Sequence, residues 1–215
     1  MSGIRFALPG SWARIPLDSE AQALRAVRKL TEQVTGRKEE LATLRAELRA
    51  RFTTVVEAAR EGGAEDLYIG LELVPGIPLP AWAAVFPADA EQLDLAAVGF
   101  ADLGRGLDFA AGAAPEGGST ARGDGETGGD GDDATRVHAV RHAWRRTTQV
   151  AADGEERTFD LVEADYWIAA AEPNRMALVT FSTALAEYEE EMLELFDAVI
   201  GTLRWPAPVD AVAGA

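Results

Sequence analysis

The spacing at which apolar residues recur changes along this chain, and this change constrains the fold more than any other feature. In the first third, Val27, Leu30 and Val34 recur at spacings of three and four, which is typical of a helix with one apolar face. Further on, Leu67 and Ile69 begin a run with a spacing of two, which is typical of a strand. The chain therefore combines a helical pair with a sheet.

Turn and capping residues set the bounds of the helical pair. An extended segment, turned at Pro9-Gly10, precedes Asp18 and Ser19, which are good residues to cap a helix. The first helix ends at Gly36, and the second runs from about residue 37 to residue 60. The apolar pattern spans too few heptads to demand a coiled coil, so we expect both helices to pack on a sheet.

Strands dominate the rest of the chain, and short turn signals separate several of them. We expect the strand at 176–182 to be central, because both of its faces are apolar. A short helix at 88–98, a longer one at 184–200 and a last strand at 203–205 complete the prediction. Helices grouped around hairpin-linked strands predict an α+β fold with a mostly antiparallel sheet flanked by helices, an α/β/α sandwich. The remaining predicted strands lie at 66–74, 82–86, 136–150 and 158–170.

Residues 101–135 differ from the rest in composition. They hold 10 of the 21 glycines, and no large apolar side chain follows Phe109. Such a segment buries too little surface to offset its ordering entropy, so we predict a flexible loop. The chain is then one domain, 1–205, interrupted by this loop and followed by a tail at 206–215.

Charge and composition exclude several classes of protein. With 36 acidic and 20 basic side chains the formal net charge is −16, which disfavours binding to nucleic acid or to an anionic membrane. The chain has no cysteine, so thiol chemistry and thiolate metal sites are excluded. We expect a cytoplasmic protein, because the sequence has neither a signal peptide nor an apolar run as long as a membrane helix.

Catalytic and metal-binding patterns are weak. His138 and His142 would share one face of a strand and could begin a metal site, but the arginines around them would repel a cation. The segment 128–136 fits one copy of a calcium-binding repeat, whose fold requires stacked copies. No phosphate loop and no nucleophile elbow is present. We therefore predict a protein that is not an enzyme and has no cofactor.

Candidate partner-binding residues come from three patterns. Trp144 and Trp167 lie on two neighbouring predicted strands, where they form either an aromatic patch for a protein partner or a second core layer. Arg141 and Arg145 form a basic strip that either binds an acidic partner or pairs with carboxylates of the next strand. The exposed face of the last helix supplies four acidic candidates, Glu187, Glu190, Glu191 and Glu194.

Both ends of the chain resemble one family. The opening R-F-A-L-P-G-S-W at residues 5–12 is similar to the first strand of PsbP-like α/β/α sandwiches. The segment A-L-V-T-F-S-T at 177–183, followed by a helix and Leu203-Arg204-Trp205, is similar to the end of the same fold. Actinobacterial members include LpqN-like proteins and uncharacterised proteins linked to type VII secretion. The resemblance implies an antiparallel sheet between helix layers and an accessory or binding role without catalytic residues.

These observations lead to three functional hypotheses. The first is a protein-binding accessory or adaptor protein, linked to actinobacterial secretion. The second is an acidic immunity-type protein that neutralises a basic toxin. The third is an enzyme or small-ligand carrier, which a deep pocket with convergent polar groups would favour. The helical pair is mildly basic and the rest of the chain acidic, so we also expect self-association to form a homo-oligomer.

Overall fold

Eight strands form one sheet in the part of the chain that the computed structural model describes, which is residues 4–36, 38–89, 119–123, 137–152, 155–170 and 175–204. The strand order is β1-β2-β4-β8-β7-β6-β5, with β3 paired to β2, and every pair is antiparallel. The strands are β1 (Ser11–Pro16), β2 (Asp66–Val74), β3 (Ile77–Pro78), β4 (Ala81–Asp89), β5 (Ser119–Gly123), β6 (Val137–Ala152), β7 (Glu155–Ala170) and β8 (Arg175–Thr183).

Helices lie on both faces of this sheet. The helical pair consists of α1 (Glu20–Thr35) and α2 (Ala42–Glu61), and it covers one face at β1, β2 and β4. The opposite face is covered by α3 (Glu189–Gly201). The α+β fold with a mostly antiparallel sheet between helices is thus confirmed, as is the central position of β8 between β4 and β7.

Strand alternation divides the core into two clusters, because successive side chains of a strand point to opposite faces. Beneath the helical pair, Val27 and Leu30 of α1 and Val56 of α2 pack with Leu67 of β2. On the other face, Phe196 of α3 stacks on Phe181 of β8 with ring centroids 4.5 Å apart. Each face therefore has its own helix layer and its own core.

Several predicted elements differ from the observed ones. The predicted helix at 88–98 is wrong at its start, since residues 88 and 89 belong to β4, and its remainder lies outside the described residues. The loop predicted at 101–135 is wrong at 119–123, which form β5 against β6; its other residues lie outside the described part. In place of the strand predicted at 203–205, Arg204 forms an isolated antiparallel β-bridge to Arg5.

Two apolar stripes are less buried than their spacing predicts. The spacing of four residues places Tyr188 on the same side of a helix as the buried Met192, but Tyr188 lies in the short 3-10 turn before α3 and is half exposed. Leu44 and Val55 of α2 are also exposed, and Val56 is the buried residue of that helix. None of the described helices is long and apolar enough to cross a membrane.

Candidate functional site

A cleft of about 710 Å³ opens between α3 and the neighbouring strand β6. It collects six of the eight predicted partner-binding residues, three of them from α3 and one from the turn before it. We call it the acidic cleft, and its lining residues are Arg141, Arg145, Glu187, Glu189, Glu190, Glu191, Leu193, Glu194 and Asp197.

The local structure explains why these residues meet. Residues 141 and 145 are four positions apart on β6, so they point to the same face of the sheet, and α3 lies on that face. Three of the acidic residues, Glu189, Glu190 and Glu191, lie in the first turn of α3, where the positive end of the helix dipole favours negative side chains. The cleft therefore lies where β6, with two arginines on one face, passes the acidic α3.

Arg141 is held inside the cleft by α3. Its guanidinium forms an ion pair with Asp197, and the Arg141 side chain is 15% exposed. The Tyr166 hydroxyl donates a 2.7 Å hydrogen bond to the other Asp197 oxygen. Burial opposes the charge on Arg141, but Asp197 and Tyr166 outweigh it, so the pKa of Arg141 is raised. Burial, and then the Asp197 carboxylate, raise the pKa of Tyr166.

The acidic cleft keeps an excess of negative charge. Arg145 pairs with Glu189, so both arginines of the cleft are neutralised within the protein. The cleft has six carboxylates and two guanidinium groups, and four glutamates are thus uncompensated. The four glutamates that form no ion pair with any residue in the described part of the chain are Glu187, Glu190, Glu191 and Glu194.

The two predicted partner-binding tryptophans lie elsewhere, on the sheet face opposite α3. Trp144 lies across from Glu163, and Trp167 lies across from Val140. The register thus places them four residues apart along the strands, roughly 13 Å. Both are half-buried. The structure brings the arginines and glutamates together but does not join the tryptophans to them or to each other.

A row of polar side chains crosses the same face as these tryptophans, on three adjacent strands. His142 lies opposite Asp165, and Asp165 lies opposite Thr180, whose hydroxyl donates a 2.6 Å hydrogen bond to the Asp165 carboxylate. In the next row, Glu163 lies opposite Ser182, a residue 1% exposed whose hydroxyl has no hydrogen-bond partner among the described residues. Sequence reasoning missed this polar row because its members meet only through the register of three strands.

Most of the charged and polar side chains of the polar row contact partners that offset part of the cost of their burial. Arg146 donates a 3.0 Å hydrogen bond to Glu163, as expected for a cross-strand ion pair. The ring of His142, which is 7% exposed, packs on Trp144 with centroids 5.2 Å apart. Burial raises the pKa of Asp165, and the Glu163 charge adds to this, whereas the Thr180 hydrogen bond and His142 lower it. The described residues include no cluster of three or more side chains able to hold a metal ion.

The basic residues of β6 do not share one face of the sheet. Arg141 and Arg145 point toward α3, whereas His142 and Arg146 point to the opposite face. Of the predicted pairs with the next strand, the one between Arg146 and Glu163 forms. The side chain of His138 and the segment 128–136 lie outside the described residues.

Comparison with known proteins places the chain in no family. No protein-family model matches it, and a search of curated proteins finds no similar sequence. The resemblance of its two ends to PsbP-like sandwiches therefore stays a prediction.

Proposed function

We propose that this chain is a non-enzymatic accessory or adaptor protein that binds a protein partner through the acidic cleft. The observation that supports the proposal is the excess charge of the cleft, in which the arginines are neutralised and four glutamates pair with no cation of the described part of the chain. Such a surface attracts a basic segment and raises its association rate. The partner therefore presents lysine or arginine side chains.

The geometry of α3 indicates how the partner would bind. Glu187, Glu190 and Glu194 follow one another at spacings of three and four, so they share one side of the helical segment. A basic segment with its cations at matching spacing would lie along that side. The link to actinobacterial secretion rests on the sequence resemblance, and both this link and a cytoplasmic location remain part of the proposal.

Charge-neutral variants test the acidic cleft. The four uncompensated glutamates are replaced by glutamine, which preserves their shape and removes their charge. The control replaces four exposed glutamates of the helical-pair region, Glu39, Glu40, Glu47 and Glu57, and so makes the same change in net charge far from the cleft.

The measurement is affinity capture from a native extract, followed by titration of the captured protein. We expect the wild type and the control to capture the same basic protein, with an affinity that falls as salt increases. The cleft variant should lose that partner. Equal capture by the cleft variant would show that the partner binds elsewhere, and capture of no partner would overturn the proposal.

The excess charge of the cleft also favours a second function, an immunity-type protein that neutralises a basic toxin. Binding to such a toxin would be very tight and would abolish the toxin's own activity. An accessory protein would leave the activity of its partner intact. An activity assay of the captured partner, with and without this chain, distinguishes the two functions.

A further inference from the structure

A second cleft, of about 630 Å³, opens on the opposite face of the sheet, between the helical pair and the ends of β2 and β4. We call it the apolar cleft. Val34 of α1 and Phe52 of α2 line its helical side, and Ile69 of β2 and Trp82 of β4 line its sheet side. Its volume and its largely apolar lining are those of a small-molecule site.

The apolar cleft exists because the helical pair does not close over the sheet along its full length. The core beneath the pair is closed around Val27 and Leu30, in the middle of α1. At the end of α1, Val34 is 52% exposed, and Val55 of α2 is 43% exposed. Both line the cleft, so a ligand seated there would remove apolar surface from water at a gain of roughly 25 cal/mol per Å².

Gln33 adds a polar side chain to the helical side of the cleft, and the carboxylate of the cleft lies at the edge of the sheet. Ser11 of β1 and Glu72 of β2 face each other in the strand register at the edge of the sheet, and both line the cleft. Among the described residues of the lining, Glu72 is the one that carries a charge; it is exposed and forms no ion pair with any of the residues described. A carboxylate at the mouth of an apolar cleft complements a positively charged group.

Gly70 keeps this end of the cleft in its shape. A Cβ atom at Gly70 would lie 2.6 Å from the carbonyl oxygen of Leu79, so the segment entering β4 can approach β2 closely because this position has no side chain. Pro80 and Ala81 of that segment then line the cleft. The strands therefore hold the sheet side of the cleft in place before any ligand binds.

We propose that the apolar cleft binds a small apolar molecule with a cationic head group, an aliphatic or aromatic amine. The apolar part lies between Phe52 and Trp82, and the ammonium group lies at Glu72. This site is independent of the acidic cleft, which lies on the other face of the sheet.

A fluorescent probe tests the apolar part. N-phenylnaphthylamine, an uncharged dye that brightens in apolar surroundings, is titrated into the full chain, and we expect saturable binding to one site. Val34→Trp and Val55→Trp fill the cleft from its two helices and should both abolish the signal. Leu24→Trp is the matched control, because Leu24 is an exposed apolar residue of α1 outside the cleft, and it should bind the dye as the wild type does.

Competition tests the head group. Decylamine and decanoate have the same chain length and opposite charges, and each displaces the dye below its micelle concentration. We expect decylamine to act at a roughly fivefold lower concentration, as an exposed ion pair would allow. Glu72→Gln should remove this preference, whereas Glu39→Gln, an exposed acid outside the cleft, should keep it.

The outcomes separate this proposal from the proposed function. Dye binding that survives both tryptophan variants would overturn the site, and equal displacement by amine and carboxylate would overturn the ligand class. The quadruple glutamine variant of the acidic cleft should bind the dye normally. Loss of the protein partner with intact dye binding would therefore leave this inference standing.

Discussion

At the scale of single residues, the half-buried acid Asp165 makes a pH-dependent contribution to stability. Because its pKa is raised in the folded protein, the folded state binds this proton more tightly than the unfolded state. The contribution is therefore fully present below the pKa of an unfolded aspartate, and it is lost as the pH rises through the raised pKa.

Asp165→Asn tests this contribution. Asparagine keeps an oxygen that accepts the Thr180 hydrogen bond and removes the half-buried charge. We expect the variant to gain stability over the wild type as the pH rises from acidic to neutral, measured by urea unfolding. Asp160→Asn is the control, because Asp160 also accepts a threonine hydrogen bond, at 2.7 Å from Thr147, but is exposed. An equal pH-dependent gain in both variants would contradict the assignment.

Tyr166 is the residue that positions Asp197 for Arg141. Tyr166→Phe removes the hydroxyl that donates to Asp197, so we expect the free energy of unfolding to fall by about 1 kcal/mol. Tyr188→Phe, at a half-exposed tyrosine for which no hydrogen bond of the hydroxyl is described, should leave it unchanged. A matched loss in both variants, measured by chemical denaturation, would show that the Tyr166 hydroxyl has no special role.

At the scale of elements, the strand β2 depends on Gly70. Gly70→Ala would bring a Cβ atom against the backbone of Leu79, so we expect a loss of about 2 kcal/mol in the free energy of unfolding. Gly201→Ala, at the end of α3 with open space around it, should instead gain up to about 0.5 kcal/mol. Thermal unfolding of both variants checks these two predictions. If Gly70→Ala left the free energy of unfolding unchanged, this result would contradict the close approach of the Leu79 backbone to Gly70.

The elements themselves were largely predictable from periodicity. The helical pair and strands β2, β6, β7 and β8 lie close to their predicted bounds, because each has a strong period of its own. Short β5 was missed because its residues, Ser-Thr-Ala-Arg-Gly, have no apolar alternation and pair through the backbone of β6. The spacing of apolar residues cannot detect a strand that is held in the sheet by backbone pairing alone.

At the scale of the whole molecule, the uneven charge leads to a prediction about assembly. The helical pair is mildly basic, whereas the acidic cleft on the opposite face of the sheet has excess negative charge. Two copies could therefore associate head to tail through these surfaces. Light scattering should show a higher mass at low salt than at high salt, and a monomer under both conditions would contradict this prediction.

The sequence by itself determined the class of the fold, since a change of period from helix to strand can be detected within a few neighbouring residues. It also identified the arginines of β6 and the glutamates of α3 as candidates. The tertiary structure alone decided that they share one cleft, because this depends on which face of β6 the helix covers. It likewise decided the polar row, since the register of three strands brings Asp165, Thr180 and His142 side by side. Register and helix placement are set by packing between distant segments, which no local pattern encodes.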